Sequence, residues 1–199
     1  VHFQGEDGAA IVFGVTGLVM LVAAGLNRWF VAAGTVLVAG AIPLFWRYIM
    51  PSYQKERIIG LFNPGPYADT VMYQQLQGLA AIAAGGLWGR GLNVSHHYVP
   101  LAENDFFFSY FAETQGFIGC LVLLALLFGL MAKVLRTANL ARDNAGSYLC
   151  AGVFAVLLFQ TVVNTGMNLS LLPVMGVTLP FLSAGGSSVL MLYLSMGLV

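Results

Sequence analysis

Two carboxylates, Glu103 and Asp105, lie in a polar stretch just before a long apolar segment, and a third, Glu113, follows inside residues typical of a membrane-spanning helix. Acidic side chains at or below a membrane surface are costly to keep there, so they mark candidate functional sites. Partial burial raises the pKa of a carboxyl group and makes it a better base, whereas a neighbouring arginine opposes that shift. The chemistry that this pattern favours is proton abstraction at the membrane edge, with Asp105 as the base.

Each carboxylate also has a structural alternative. Asp105 could serve as the N-cap of the helix that it precedes, and Glu103 could be a solvated loop charge. Glu113 follows Asp105 by eight residues, which corresponds to about 12 Å along a continuous helix. Paired glycosidase carboxyls lie about 5 to 9.5 Å apart, so these two are poorly spaced as an acid/base couple. Glu113 is therefore expected to anchor the bundle by hydrogen bonds to a neighbouring helix.

Uncharged polar residues near the end of the chain form a second candidate region. Gln160, Asn164 and Asn168 recur every four residues and so share one helix face. Polar amides inside a span face the bundle, where they join helices or line a cavity, and both roles stay open. Further on, Gly185 and Gly186 precede Ser187 and Ser188. Such a turn exposes backbone N–H groups that favour anions, although it is also an ordinary helix start.

The histidines and cysteines are assigned structural roles. His96 and His97 are adjacent, which is not a spacing that lets two side chains bind one metal, so both are expected to act within their loop. Cys120 and Cys150 fall near opposite ends of neighbouring predicted spans, too far apart for a disulfide, and are expected to be packing residues. No phosphate-binding loop, Ser-His-Asp order or zinc signature is present.

The composition defines the broad class. The chain is 59% hydrophobic and 8% charged over 199 residues, whereas about a quarter of the residues of a soluble domain are charged. Repeated apolar runs without strict alternation predict an all-α polytopic membrane protein and exclude a β-barrel. A formal net charge of zero argues against a nucleic-acid partner. The first ten residues lack the basic region of a cleaved signal peptide.

The apolar runs predict a multi-helix transmembrane bundle of about five spans plus a truncated sixth. Residues 1–199 are treated as one transmembrane domain with a long extracellular loop at about 89–116. A short Ala- and Gly-rich helix is expected to be embedded among the others, since small residues allow close approach. Polar loops are predicted at 47–67 and 133–143, and a connection interrupted by Pro and Gly is predicted at 164–186. The predicted helices cover residues 8–26, 29–46, 73–87, 117–135 and 145–163, and a last one begins near 187.

The basic residues predict an orientation. Six lie in loops assigned to one side of the membrane, and two, Arg28 and Arg90, lie in loops assigned to the other. Cytoplasmic loops collect Lys and Arg, so this distribution predicts that Asp105 faces outward. The six residues of the predicted inner side are Arg47, Lys55, Arg57, Lys133, Arg136 and Arg142.

Taken in order, these segments resemble the SEDS family of bacterial membrane proteins (RodA, FtsW and SpoVE). Gln4 with Gly8-Ala9-Ala10 is similar to the family's Q-P-D-L-G-T-A, and Arg57-Ile58 with Asn63-Pro64 is similar to R-I-x-x-F-x-[ND]-P. Tyr73 to Gly91 resembles Y-Q-x-x-Q-S-x-x-A-I-G-S-G-G-x-x-G-K-G. Pro100 to Phe106 corresponds to P-E-x-H-T-D-F, and Ala112-Glu113 with Gly116 to A-E-E-L-G. The closing signature is matched by Gln160, Asn164, Gly166-Met167, Leu171-Leu172-Pro173, Gly176, Leu179-Pro180-Phe181, Ser183 and Gly185-Gly186-Ser187-Ser188.

The resemblance implies a peptidoglycan glycosyltransferase of the bacterial cytoplasmic membrane that polymerises lipid II at the outer face. Asp105 matches the family's essential aspartate. The expected substrate-binding residues are Arg90, Glu103, Gln160, Asn164, Ser187 and Ser188, and Glu113 and Arg57 are expected to anchor helices. A divalent cation, Mg²⁺ or Mn²⁺, is a possible cofactor. The expected partners are lipid II, undecaprenyl-linked glycan, membrane lipids and a class B penicillin-binding protein.

The chain departs from the family pattern in the loop before Asp105. Leu101 replaces a Glu, and Glu103-Asn104 replace His-Thr, so contacts to the acceptor sugar do not transfer from the family. The resemblance places the chain at helices five to ten, without the first four and the end of the last. A lipid II flippase and a non-catalytic scaffold of the cell-wall machinery are the alternative functions. The motifs are common to elongation, division and sporulation.

Overall fold

The computed structural model describes residues 7–92 and 97–199, and every regular element in those ranges is helical. Gln4 and His96, named above, lie outside the described residues. A π-helical turn (Phe45–Ile49) follows the second helix, and a 3₁₀ turn (Gly65–Tyr67) follows the third. The helices are α1 (Asp7–Ala23), α2 (Arg28–Leu44), α3 (Ser52–Phe62), α4 (Tyr73–Gly85), α5 (Phe107–Leu140), α6 (Asn144–Asn168) and α7 (Gly186–Gly197).

Three of the described helical stretches are long and apolar enough to cross a membrane. They are Trp29–Ile49, Phe107–Leu140 and Asn144–Asn168, and two shorter apolar helices cover Gly8–Ala23 and Gly186–Gly197. These helices confirm the all-α membrane class, because about 20 apolar residues span the hydrocarbon core. The predicted number of spans and the extent of the predicted extracellular loop stay predictions.

The centre of the bundle is the antiparallel pair α5 and α6. Residues 141–143 join the two helices, and the Asp143 carboxylate caps α6 by accepting the Gly146 N–H at 3.0 Å. Lipid is as apolar as these side chains, so close van der Waals packing holds the pair together. Cys120 and Cys150 are both buried and unpaired, as expected of packing residues. The interface also contains Leu123, Leu127, Met131, Val134, Val153 and Leu157.

Gly116 breaks α5 into two segments that run in different directions. Its φ of 71° and ψ of −174° lie outside the helical region. Ser109 bonds to Asn168, whereas Leu124 lines a groove with Thr165. Ser109 and Leu124 would be about 22 Å apart on a straight helix, whereas Thr165 and Asn168 are only about 4.5 Å apart along α6. The chain must therefore turn sharply at Gly116, the residue at which the predicted loop was expected to meet the span.

Helix α1 lies antiparallel to α6, and the contacts between them show which helix ends lie at the same end of the bundle. A Cβ on Gly8, at the start of α1, would meet Val177, which follows the end of α6. A Cβ on Gly152 would meet Met20, near the end of α1. Helix α1 therefore begins at the end of the bundle that holds Asp105, and α2 returns the chain to that end.

The assignment of Arg47–Tyr67 to a loop on the opposite side from Asp105 was wrong. The segment contains helix α3, and the Arg57 guanidinium donates a 2.8 Å hydrogen bond to the Val174 carbonyl at the Asp105 end. The eight basic residues then divide four and four, so the charge argument for orientation fails, because its inner set combined residues from both ends. At the Asp105 end are Arg47, Lys55, Arg57 and Arg90; at the other are Arg28, Lys133, Arg136 and Arg142.

Helix α4 packs against the first segment of α5 through its glycines, as its composition predicted. A Cβ on Gly78 would lie 2.8 Å from the Ser109 hydroxyl, and one on Gly85 would collide with the Ala112 carbonyl. At 13 residues α4 is too short to cross a bilayer. It supports the segment that carries Asp105 instead.

Candidate functional site

Asp105 lies in a compact turn that enters α5. The carbonyl of Leu101, a residue with φ of +58°, accepts the Asn104 N–H at 3.0 Å and the Phe106 N–H at 3.2 Å. Phe106 is fully buried in a small cluster with Ala81, Val99 and Val174. The buried ring anchors the turn, so the adjacent Asp105 is held half-buried at the surface of the bundle.

Two asparagines of α6 hold the backbone of Asp105. The Asp105 carbonyl accepts hydrogen bonds from the Asn164 amide at 2.9 Å and from the Asn168 amide at 3.0 Å. Asn164 also donates to the Val177 carbonyl at 2.7 Å. Both asparagines are fully buried. Of the two roles left open for the polar stripe, these two residues therefore join elements of the bundle.

The Asp105 carboxylate does not cap α5, so the helix-capping alternative is wrong for this residue. Phe106 occupies the N-cap position, and its side chain makes no capping hydrogen bond. The Asp105 carboxylate makes no hydrogen bond or ion pair with the described residues. Burial raises the pKa of this carboxyl group above its ordinary value, and the charge of Arg57 partly opposes the shift. A half-buried carboxylate with a raised pKa is suited to accept a proton.

Arg57 is the cation whose charge acts on Asp105. Its Nη1 donates to Val174, its guanidinium lies 5.6 Å from the centre of the Tyr53 ring, and its Nε has no hydrogen-bond partner among the described residues. The sequence assigned Arg57 only an anchoring role. The structure adds an electrostatic one, because its charge acts on Asp105.

Glu113 is the buried centre of a separate cluster with Arg90 and His97, which are partly exposed. The Glu113 carboxylate is fully buried and accepts the Arg90 guanidinium at 3.1 Å, the His97 N–H at 3.1 Å and the His97 ring nitrogen at 2.8 Å. The partners named here belong to the loop between α4 and α5, and the expectation that Glu113 bonds to a neighbouring helix stays a prediction. His97 has the loop role that was expected. Arg90 is about one-third exposed and is paired with Glu113.

The remaining predicted substrate residues differ in their accessibility. Glu103 is exposed, and its carbonyl accepts the Ala184 N–H at 2.8 Å, which brings the start of α7 near the Asp105 turn. Ser187 is exposed and Ser188 half-buried at that helix start. Gln160 is half-buried one turn below Asn164, and its buried Oε1 has no partner among the described residues.

The sequence reasoning missed two residues that organise the site. Gln75 of α4 is fully buried and donates to the carbonyls of Met167 at 2.9 Å and Leu172 at 2.7 Å. Ser109 bonds to Asn168 through both its N–H and its hydroxyl. Its position one turn after Asp105 was the available signal for Ser109, and the glutamine cluster opening α4 was the signal for Gln75.

A family of cell cycle proteins that comprises the FtsW, RodA and SpoVE types matches residues 1–199. The peptidoglycan glycosyltransferase MrdB of Escherichia coli K12 is 34% identical over 203 aligned residues, which cover 100% of this chain and 55% of MrdB. The probable peptidoglycan glycosyltransferase FtsW of Coxiella burnetii is 36% identical over 200 aligned residues, which cover 98% of this chain and 53% of that protein. The chain thus spans about half the length of the curated relatives it matches.

A solved structure supports the same relationship. It is described as "Structural coordination of polymerization and crosslinking by a peptidoglycan synthase complex". One of its chains superposes with a TM-score of 0.79 at 30% identity, covering 96% of this chain and 54% of the other. The helical arrangement around the candidate site is therefore similar to that of a chain from such a complex.

Proposed function

Since the chain belongs to the FtsW/RodA/SpoVE family of cell cycle proteins, we propose that it forms part of a peptidoglycan glycosyltransferase. The substrate is lipid II, which the enzyme polymerises into glycan strands at the outer face of the bacterial cytoplasmic membrane. The observation that carries this proposal is the half-buried Asp105 carboxylate, which has a raised pKa and no hydrogen-bond partner among the described residues. The outward orientation follows from the family resemblance alone.

The reaction needs one base on the acceptor side. The 4-hydroxyl of the incoming sugar attacks the anomeric carbon of the donor, the bond from that carbon to the diphosphate oxygen breaks, and the configuration inverts. The hydroxyl proton passes to Asp105, and the electron pair of the broken bond leaves with the diphosphate. A single carboxylate is sufficient for such an inversion when the leaving group does not need a proton.

The departing diphosphate needs positive charge or backbone donors. Arg90 was the expected cation, but its guanidinium is bonded to Glu113. Arg57 is not ion-paired within the described residues, its Nε has no partner there, and its charge reaches Asp105. We propose that Arg57 supplies the nearer cationic field, while Arg90 contributes through its exposed part.

Removing the Arg57 charge is expected to shift the pH dependence of polymerisation. A positive charge stabilises the ionised carboxylate, so Arg57→Gln raises the pKa of Asp105 further, and the acid limb of kcat/KM moves to higher pH. Arg57→Lys keeps the charge and is the matched control, with a smaller shift. The measurement is polymer formation as a function of pH for both variants. If the acid limb of Arg57→Gln stays at the wild-type pH, the charge of Arg57 does not control the ionisation of Asp105.

A divalent cation stays a proposal. No group of three His, Cys, Asp or Glu side chains converges within the described residues. Mg²⁺ nevertheless usually keeps several waters and is bound largely through substrate phosphates, so a bound diphosphate would itself supply ligands for the ion. We expect dialysis against EDTA to lower polymerisation and added Mg²⁺ or Mn²⁺ to restore it. Full activity in the presence of EDTA would contradict this expectation.

The lipid part of the substrate requires apolar surface. A groove of about 330 Å³ between α5 and α6 has this character and offers space for part of a prenyl chain. It is lined mainly by Leu124, Phe128, Val162, Leu169 and Leu171. For the crosslinking step we propose a class B penicillin-binding protein as partner, in keeping with the synthase complex to which a similar chain belongs.

The deciding experiment compares wild-type protein and Asp105→Asn, each expressed with whatever segments its gene encodes outside these 199 residues and purified with its partner. Loss of polymer with retained lipid II binding supports the glycosyltransferase. Unchanged polymer yield together with lipid II movement across vesicles would favour a flippase. An Asp105→Asn variant that leaves cell-wall synthesis intact, while changes on the helix surface abolish partner binding, would favour a scaffold.

A further inference from the structure

We propose that Asn164 is a positioning residue that ties the Asp105 turn to the segment 174–177, so that Arg57, which is anchored on the same segment, stays at a fixed place beside the Asp105 carboxylate. The inference rests on the proposed function, because it concerns the spacing between the proposed base and its neighbouring cation. Asn164 acts through the backbone in this role and does not contact the reacting groups.

The segment 174–177 lies at the Asp105 end of the bundle and has no regular secondary structure. Its carbonyls therefore lack partners in a helix or strand, and buried backbone groups without partners are costly. Side chains from two distant helices supply the donors instead. Arg57 of α3 donates to the Val174 carbonyl at 2.8 Å, and Asn164 of α6 donates to the Val177 carbonyl at 2.7 Å. The cation and the amide thus hold the two ends of one short segment.

The same Asn164 amide holds the Asp105 turn. Its nitrogen carries two N–H groups, and besides Val177 it donates to the Asp105 carbonyl at 2.9 Å. The Asn164 Oδ1 faces the Asn168 amide at 3.3 Å, so a flipped amide would turn an oxygen toward two carbonyls. Asn164 is fully buried, and water does not readily replace these bonds. One nitrogen atom therefore links the turn that carries the base to the segment that anchors the cation.

Packing confines the segment 174–177 from two further sides. Val174 belongs to the buried cluster that contains Phe106, the residue directly after the proposed base. On the other side, a Cβ on Gly8 of α1 would collide with the Met175 carbonyl and the Val177 side chain. Close packing of this kind leaves little room for displacement. The position of the segment therefore determines where its bound guanidinium lies relative to the turn.

Arg57 is the charged group that acts on the Asp105 carboxyl from the packed helices. Helix α6 presents the uncharged Asn164 and Asn168 to the turn, and α4 presents a glycine. The Glu103 side chain on the same loop is exposed. A change in the position of Arg57 should therefore appear directly in the ionisation of Asp105.

The test is a double-mutant cycle on the pH profile of polymerisation, with the protein expressed and purified as for Asp105→Asn. Arg57→Gln is introduced into the wild-type protein, where it should move the acid limb of kcat/KM to higher pH, and into Asn164→Ala. In Asn164→Ala the Asp105 carbonyl keeps its donor from Asn168, but the Val177 carbonyl loses the Asn164 donor. The released segment lets Arg57 move toward water, where its charge is screened. The shift caused by Arg57→Gln should then be less than about half of the wild-type shift.

The kinetic constants separate positioning from substrate binding. Asn164→Ala alone should lower kcat about tenfold with KM little changed, the result of a small displacement of a catalytic group, whereas loss of a substrate contact raises KM. Ser183→Ala is the matched control, because it removes the Ser183 hydroxyl that accepts the buried Leu179 N–H at 2.8 Å in the same connection. It leaves the contacts of 174–177 in place, so Arg57→Gln should shift its acid limb as in wild type.

The proposal is overturned if Arg57→Gln shifts the acid limb equally in wild type and in Asn164→Ala, or if Ser183→Ala reduces the shift to the same extent. It is also overturned if Arg57→Gln produces no shift in the wild-type protein, because there is then no interaction for Asn164 to maintain. A raised KM with unchanged kcat in Asn164→Ala would assign this residue to substrate binding instead.

Val174→Ala keeps the proposal testable if Asn164→Ala does not fold. It weakens the packing against Phe106 but leaves the backbone hydrogen bonds of the segment in place, so a reduced Arg57→Gln shift supports the proposal and an unchanged shift overturns it. Asp105→Asn is assayed in parallel. Activity in that variant refutes the proposed function, whereas an inactive Asp105→Asn beside an unchanged cycle refutes only the positioning role.

Discussion

Asp105→Asn is expected to lower the rate of glycan polymerisation by about 10³-fold, within the range that general-base catalysis contributes. The substitution keeps the shape of the side chain but removes the group that accepts the proton of the attacking hydroxyl. The backbone of the turn should not change, because Asn164 and Asn168 bind the carbonyl of residue 105, which every amino acid has. The measurement is the single-turnover rate with lipid II.

The stability of Asp105→Asn distinguishes loss of chemistry from loss of fold. The folded-state pKa of Asp105 is raised, so ionising this group costs stability as the pH rises through its unfolded and then its folded pKa. At neutral pH the neutral Asn avoids that cost, and the melting temperature should be equal to or above that of wild type. A melting temperature well below wild type would show that the activity loss is a folding defect.

Glu103→Gln is the matched control for Asp105→Asn. Glu103 lies two residues away in the same turn, and its side chain is exposed. It meets the rest of the bundle through its backbone carbonyl, which binds Ala184. We expect Glu103→Gln to change the rate less than tenfold, a loss in acceptor binding rather than in proton transfer. If both variants lose polymerisation rate equally, Asp105 is not the general base of the reaction.

Gly116→Ala is expected to destabilise the protein by more than about 3 kcal/mol, from backbone strain and overpacking together. Gly116 has φ of 71° and ψ of −174°, a conformation that is essentially restricted to glycine. An added Cβ would also collide with backbone atoms of Leu87, Trp88 and Gly89, which cannot move as a flexible side chain would. The measurement is the yield and melting temperature of monodisperse protein in detergent.

Gly129→Ala is the control for Gly116→Ala, since both residues lie in α5. Gly129 is helical, and a Cβ added there meets nothing within 4 Å. Alanine is the better helix former by about 1 kcal/mol, so the melting temperature should stay the same or rise. If Gly116→Ala retained wild-type stability while Gly129→Ala behaved as expected, the break in α5 would not be a requirement of the fold.

The residues near Asp105 show which parts of the site local sequence could predict. The polar stretch before an apolar run identified Asp105, and the recurrence every four residues identified the stripe of Asn164 and Asn168. Both patterns are local, because they depend on helix periodicity and on the cost of charge near lipid. The same reasoning misplaced Arg57, because counting charges in loops requires the correct number of crossings between them.

The sequence by itself determined that this is an all-α membrane protein with an acidic residue at one bundle end, because run lengths and composition are properties of consecutive residues. Only the tertiary structure decided what surrounds that residue. Arg57 reaches Val174 across 117 residues, Asn168 reaches Asp105 across 63, and Arg90 is drawn to Glu113. Each of these pairs forms only when helices distant in the sequence pack together. Sequence patterns over neighbouring residues do not determine that packing.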